Sequence, residues 1–285
     1  MKGLSLVKTK ESLFIIYGLI CFKRRSMLGS SSMTKTALIT GGTSGIGLAA
    51  AEIFLANGCR VALMGRNADR GREAVQYLQQ LQPDCADKVK FFQGDVSVPA
   101  DCQRVTEEAA NWGGKIDILV NSAGVYWEQA LADMTEADFA AMVDTNLKGT
   151  CFMTKYASSY MEKQRSGSIV NVSSDAGVHG NYLCSLYCAT KGAVNMFTRA
   201  MALELAGYGI RINAVCPGDV LTPLTEKQLQ QYPDREQALQ EMASVYPAGR
   251  IATAQEVAEV IAFLASDKAS FVNGTVWSVD GGITA

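Results

Sequence analysis

The chain has 285 residues, of which 48% are apolar and 19% charged, and a net charge of -2. That supplies one sizeable buried core and no basic field for nucleic acid or an anionic lipid surface. Eight cysteines stand singly without a C-x-x-C pair, and His179 is the sole histidine, a pattern that supports no metal site. Free thiols in this number fit a reducing compartment, so a cytoplasmic location is expected.

Residues 1–32 stand apart. An apolar run over 13–22 is flanked by Lys8, Lys10 and Glu11 before it and Lys23, Arg24 and Arg25 after it. A membrane-spanning helix needs about 20 apolar residues, and charges directly after the run, with no A-x-A-like site, do not suit a secretory signal. The expectation is a disordered extension, consistent with a start placed too far upstream. Met33 opens the segment MTKTALITGG, which reads as a domain start, and residues 33–285 read as a single domain.

From residue 35 onward, apolar strands alternate with helical patterns. Strands are expected at 36–40, 60–64, 88–93, 117–121, 168–173, 210–215 and 275–279. Helices are expected at 46–57, ended by Gly58, at 69–82, ended by Pro83, and at 99–112, opened by Pro99. A long helical region follows 121 and runs to about 164; further helices are expected at 187–206, 222–246 and 255–265. Strands separated by helices of this length imply parallel crossovers. The fold class is α/β: a doubly wound, three-layer fold of the Rossmann type, with a mostly or wholly parallel sheet of about seven strands.

The turn after the first strand reads Thr40-Gly41-Gly42-Thr43-Ser44-Gly45-Ile46-Gly47. One glycine permits a tight turn, another lets backbone N–H groups approach a pyrophosphate, and a third allows close helix packing. The helix N-terminus adds partial positive charge.

Tyr187 and Lys191 lie four residues apart on one expected helix and so share a face. Ser174 stands thirteen residues before Tyr187, just past a strand. Asn146 sits in the long helical region, and Asn121-Ser122-Ala123-Gly124 closes the fourth strand. In open α/β sheets ligands gather at the carboxyl ends of the strands, where Asn121, Ser174 and the loop after Val215 fall.

Taken together these motifs make the chain resemble a short-chain dehydrogenase/reductase over about residues 34–285. The likeness rests on T-G-x-x-x-G-x-G at Thr40–Gly47, Asp95-Val96, Asn121 to Gly124, Asn146, Ser174, Tyr187-x-x-x-Lys191, Pro217-Gly218 and Asp280-Gly281-Gly282. Ser122 departs mildly from the family's usual second Asn. The resemblance implies a ketone and secondary alcohol interconverted by hydride transfer with a nicotinamide dinucleotide, and a small-molecule substrate. It makes Tyr187 the general acid/base, and Lys191 the ammonium that lowers its pKa and holds the nicotinamide ribose. Ser174 becomes the hydrogen-bond partner of the reacting oxygen, and Asn146 the holder of a water leading from Lys191 to solvent. The cofactor-binding set becomes Gly41, Thr43, Ser44, Gly45, Ile46, Gly47, Arg66, Asp95, Val96, Asn121, Ala123, Gly124, Tyr187, Lys191, Pro217, Gly218, Val220 and Thr222. Family members often form tetramers, and a homo-oligomer, tetramer or dimer, is expected.

The second strand ends in Gly65-Arg66. An acid there would bind the ribose 2′-hydroxyl of NAD, whereas Arg suits a 2′-phosphate, so NADP(H) is favoured. The glycine loop carries Thr43 and Ser44 instead of a second basic residue, which keeps NAD(H) open. The loop over 175–186 is uncharged apart from Asp175 and admits a small or moderately apolar substrate; His179 reads as a surface-loop residue or a substrate contact. Two other readings stand beside this one. A 3-oxoacyl-carrier-protein reductase usually has Asn before the catalytic Tyr, where this chain has Leu186. A non-catalytic dinucleotide-sensing regulator tends to lose the Tyr or Lys that this chain keeps.

Overall fold

The computed structural model describes residues 34–285. The expectations for residues 1–32 lie outside the described residues.

Strand β1 (Thr36–Thr40) is buried at all five positions. Its side chains alternate: Ala37 and Ile39 join one hydrophobic core and Leu38 the other. The same alternation runs through β2 (Arg60–Gly65) and β4 (Ile118–Asn121), with β3 (Val89–Gln93) at the edge. A strand that is apolar on both sides needs cover on both sides. Strands β5 (Gly167–Val172), β6 (Ile210–Pro217) and β9 (Val276–Val279) complete a seven-stranded, wholly parallel sheet, in the order β3-β2-β1-β4-β5-β6-β9.

Helices α1 (Gly45–Ala56), α2 (Ala68–Leu81) and α3 (Pro99–Gly113) follow β1, β2 and β3. Between β4 and β5 lie α4 (Glu136–Val143) and α5 (Gly149–Gln164), and α6 (Ser185–Leu205) leads to β6. Before β9 come α7 (Pro223–Leu229), α8 (Arg235–Ser244) and α9 (Ala254–Ala265). Residues of α1, α2 and α9 fill one core, and those of α3, α5 and α6 fill the other. The strand order reverses between β1 and β4, the kind of switch point at whose carboxyl ends ligands bind in open α/β sheets.

Three segments differ from expectation. The long helical region before residue 164 is a loop, then α4, then a π turn over Asp144–Lys148, then α5. The expected helix over 222–246 is two helices: Pro233 cannot continue α7, and the Asp234 carboxylate caps α8 by accepting from the N–H groups of Glu236 and Gln237. A second small sheet pairs β7 (Val220–Leu221) with β8 (Ala252–Thr253).

Candidate active site

The glycine loop is built from backbone that only glycine tolerates. Gly41 has φ +63°, and a Cβ on it would stand 2.9 Å from Ala123 Cα. A Cβ on Gly47 would stand 2.5 Å from the Gly41 carbonyl oxygen, so α1 can start here only without a side chain. The Thr40 hydroxyl accepts from the N–H groups of Ser122 and Ala123, both at 3.1 Å, and ties this loop to the one after β4. Ser44 occupies the N-cap of α1 but makes no capping bond, and the first turn holds no acid. The first amides of α1, next to Gly45 and Ile46, are therefore presented to an external anion, which fits a pyrophosphate.

At the outer end of the crevice, Gly65 closes β2. A Cβ there would meet Thr43 Cγ2 at 3.3 Å and Thr43 Oγ1 at 3.5 Å, so Thr43 occupies the space that an acidic side chain would need. Arg66 follows, its side chain 66% exposed and 4.0 Å from Asp95. Arg66, Gln93, Gly94, Asp95, Asp101 and Arg104 line an open cleft of about 480 Å³. The Asp95 carboxylate accepts from the Ser97 N–H and hydroxyl, while Val96 packs against Gly149 at the start of α5.

At the inner end, α6 carries Tyr187 in its first turn and Lys191 one turn later, on its buried face. Lys191 Nζ donates to the Val172 carbonyl at 2.9 Å and stands 5.6 Å from the Tyr187 ring centre. The Ser173 hydroxyl donates to the Lys191 carbonyl at 3.1 Å, and Gly177 lies so close to α6 that a Cβ would stand 2.8 Å from the Lys191 carbonyl carbon. These contacts hold the turn after β5, and Ser174 with it, against α6. Asn146 sits in the π turn, where a helix widens by one residue, a feature common at functional sites. Its side-chain oxygen accepts from the Val125 N–H at 2.8 Å, and its amide donates to the Val125 carbonyl at 2.9 Å and to the Thr190 hydroxyl at 3.3 Å. Gly124 lies between Asn146 and Lys191: a Cβ on it would meet Asn146 Oδ1 at 3.4 Å and Lys191 Nζ at 3.7 Å.

Pro217 ends β6 and Gly218 follows, with Tyr246 packed so closely that a Cβ on Gly218 would fall 2.6 Å from its ring. Val220 lies in β7, and Thr222 caps α7 and reaches back to within 3.3 Å of a Cβ placed on Gly45. The segment after β6 thus packs against the glycine loop.

Two expectations change. Asn121 does not turn its side chain to the crevice: its amide donates to Asn171 Oδ1 at 2.9 Å and to the Thr154 hydroxyl at 3.2 Å, inside the protein. The Tyr187 phenol, for which a lowered pKa was expected, is instead shifted upward on balance. Burial raises the Tyr187 phenol above its ordinary value; the Ser174 hydroxyl opposes the rise, and Asp175, Cys184 and Asp219 add to it. Burial also lowers Lys191 to about 8, with Cys216 pulling the other way. Both groups are driven toward neutrality by the same loss of water.

Sequence reasoning passed over three residues at this end of the protein. Tyr126 meets the Tyr187 ring edge-to-face at 4.9 Å and donates to Glu128 at 2.7 Å. Asp175 is buried beside Ser174. Tyr246 accepts from the Asp219 N–H at 2.7 Å. Of these only Asp175 had a signal, as the one charge in its loop.

A parallel sheet with a phosphate-ready loop at its switch point, and a half-buried Tyr beside a buried Lys and Ser on the same side of the sheet, defines a dinucleotide-dependent oxidoreductase. Comparison with known proteins gives the family. Residues 41–284 match the family model described as enoyl-(acyl carrier protein) reductase. A 3-oxoacyl-[acyl-carrier-protein] reductase of Thermotoga maritima is 41% identical over 249 residues, which cover 87% of this chain and 97% of that protein. The crystal structure of levodione reductase superposes with a TM-score of 0.84 at 35% identity, covering 88% of this chain and 98% of that one. ElxO with NADP bound gives a TM-score of 0.81 at 34% identity, covering 88% and 99%. The chain belongs to the short-chain dehydrogenase/reductase family, and it is an NAD(P)-dependent oxidoreductase that interconverts a ketone and a secondary alcohol. Among the described residues no helix is long and apolar enough to cross a membrane.

Proposed function

We propose that the protein uses NADP(H) in preference to NAD(H) and that Tyr187 is its general acid/base, acting on a small ketone or secondary alcohol. The observation that carries the reading is that buried Lys191 stands 5.6 Å from the Tyr187 ring centre while its carbonyl holds the turn that carries Ser174, on the same side of the sheet as the glycine loop. Bound NADPH supplies the hydride. Tyr187 gives its proton to the oxygen of the reacting carbonyl, and Ser174 meets the same oxygen. The Lys191 ammonium balances the phenolate left behind, and Asn146 holds the water that connects Lys191 to solvent.

The preference for NADP(H) rests on Gly65, Thr43 and Arg66. No acid stands at the end of β2 to repel a 2′-phosphate, a hydroxyl fills that space, and an exposed guanidinium follows it. The bound ligand of ElxO agrees with this choice. Gly41, Thr43, Ser44, Gly45, Ile46 and Gly47 take the pyrophosphate; Asp95 and Val96 flank the adenine; Ala123, Gly124, Pro217, Gly218, Val220 and Thr222 line the nicotinamide half. Residues 33–285 serve as one catalytic domain. We assign the protein to the cytoplasm, in line with seven free cysteines among the described residues. We also assign it a homo-oligomeric state, tetramer or dimer, because Phe139, Met196, Leu203, Phe271 and Trp277 leave large apolar side chains exposed along the long helices and the C-terminal edge.

The 41% identity to a 3-oxoacyl-carrier-protein reductase favours a second reading, in which the substrate is a carrier-bound 3-oxoacyl chain. A panel of small ketones, alcohols and a 3-oxoacyl thioester, followed by nicotinamide absorbance with NADPH and NADH in parallel, tests both. Turnover of small ketones with NADPH is expected. Turnover of the thioester alone would move the assignment to the second reading, and a preference for NADH would overturn the role of Arg66.

A further inference from the structure

Asp175 is out of place for a loop acid. It is 7% exposed, it follows Ser174 directly, and it lies on the turn over Asp175–Gly177 that packs against α6. A buried carboxylate must be paired or hydrogen-bonded. Its Oδ1 accepts from the Ser174 hydroxyl at 2.7 Å and from the Ala176 N–H at 2.8 Å. Its Oδ2 faces His179 Nε2 at 3.4 Å, and that nitrogen is buried with no hydrogen-bond partner of its own. The chain's sole histidine therefore stands behind the one carboxylate that touches Ser174.

A serine hydroxyl has one hydrogen and two lone pairs. The Ser174 hydrogen goes to Asp175, and an ionised acceptor makes that bond roughly twice as strong as a neutral one would. The Ala176 N–H points at Ser174 Oγ from 3.2 Å and occupies part of its acceptor capacity. One lone pair remains to accept a further hydrogen.

We propose that Asp175 is a positioning residue that holds the Ser174 hydrogen, so that Ser174 receives the hydrogen of a substrate alcohol and must break its bond to Asp175 before it can donate to a substrate carbonyl. The inference rests on the reading of Ser174 and Tyr187 given above. Its consequence is a ground-state preference for the alcohol over the ketone. The two values of kcat/KM are bound together by the overall equilibrium, which no substitution changes, so the preference shows in binding. It is read from dead-end complexes: the alcohol with NADPH, and the ketone with NADP+.

The experiment uses meso-2,3-butanediol and acetoin as the probe pair, with dissociation constants measured by quenching of NADPH fluorescence and by calorimetry with NADP+. Asp175→Ala frees the Ser174 hydrogen and is expected to shift the alcohol-to-ketone affinity ratio toward the ketone, on the order of tenfold. Asp175→Asn keeps the shape of the turn and a neutral acceptor, and is expected to give a smaller shift in the same direction. The same two substitutions are then made on a Ser174→Ala background, where a residue that acts through Ser174 has nothing left to act on. An unchanged ratio in both single variants overturns the proposal. So does an equal shift with and without Ser174, which would mean a general effect of charge. Wild-type turnover of the pair reports on the proposed function separately, so the two readings fail by different measurements.

Discussion

Lys191 Nζ donates to the main-chain carbonyl of Val172 across 2.9 Å, so the ammonium is fixed to the end of β5 and does not swing freely in the crevice. The bond sets the Lys191 charge 5.6 Å from the Tyr187 ring centre, while burial pulls that charge's pKa down to about 8. Loss of water thus favours the neutral form of both side chains.

Tyr187→Phe removes the acid and keeps the ring. It is expected to lower turnover by about 10²- to 10⁴-fold, the usual worth of a positioned acid/base. Affinity for NADPH should stay within a small factor, because the ring keeps its edge-to-face contact with Tyr126. Stopped-flow turnover and fluorescence titration of the nicotinamide check the two halves separately. An intact rate would remove Tyr187 from the chemistry.

The Lys191 pKa gives a pH dependence with a definite sign. The group is charged below about 8 and neutral above it. A ketone reduction that needs the ammonium is expected to lose kcat/KM as pH rises through about 8, since kcat/KM follows ionisations of the enzyme before substrate binds. A flat profile from there to the ordinary lysine value of 10.5 would show that Lys191 is not lowered to about 8 or that its charge is not required.

Gly47→Ala should disable the cofactor loop. The new Cβ would fall 2.5 Å from the Gly41 carbonyl oxygen, and backbone must move to admit it. Affinity for NADPH is expected to fall tenfold or more, an order-of-magnitude expectation for displaced phosphate-binding amides. Gly58→Ala is the control. Its φ of +82° strains the substitution, yet nothing lies within 4 Å, so it should cost about 1 kcal/mol of stability and leave cofactor binding alone. Thermal melts with and without NADPH distinguish the two.

Arg66→Ala is expected to weaken NADPH by about 10- to 100-fold, the range for one charge-assisted phosphate contact, and to leave NADH nearly unchanged. Gly65→Asp should push the same way more strongly by adding repulsion, once Thr43 yields a few tenths of an ångström. The ratio of kcat/KM for the two cofactors reads both variants.

The sheet and both ends of the crevice were legible in the sequence because they rest on local rules. Apolar runs bounded by Gly, Pro and Asp mark β1 to β6, and a glycine with φ +63° at Gly41 is required by the turn itself. What escaped depends on partners far along the chain. The π turn at Asn146 forms where its side chain fastens Val125 and Thr190, 21 and 44 residues away. Asn121 turns inward to reach Asn171, 50 residues on. The pairing of β7 with β8 joins residues whose own sequence carries no strand pattern. Pro233 was a different kind of miss, since a proline inside an expected helix is itself the sign of a break.

The last prediction concerns how Thr222 is kept in place. Strand β7, directly before it, is held by β8, and β8 runs into α9 through a capping box. Thr253 Oγ1 accepts from the Glu256 N–H, and Glu256 accepts from the Thr253 N–H at 2.9 Å while pairing with Arg250 through both guanidinium nitrogens, at 2.9 and 2.6 Å. The Arg250 hydrogen bonds, then those from Thr253, lower the Glu256 pKa from 4.5 to about 2. A carboxylate whose folded pKa is depressed contributes stability that is fully present above the ordinary value and is lost as pH falls through the folded one. Glu256→Gln is therefore expected to destabilise the protein above pH 4.5, with the deficit vanishing as pH falls toward 2. The pair is largely exposed, so the loss should be modest and should shrink with salt. Thr253→Ala removes the cap itself and should cost about 1 kcal/mol at any pH. Urea melts across this pH range check both variants. A Glu256→Gln deficit that does not change with pH would mean that shape, not charge, holds the start of α9.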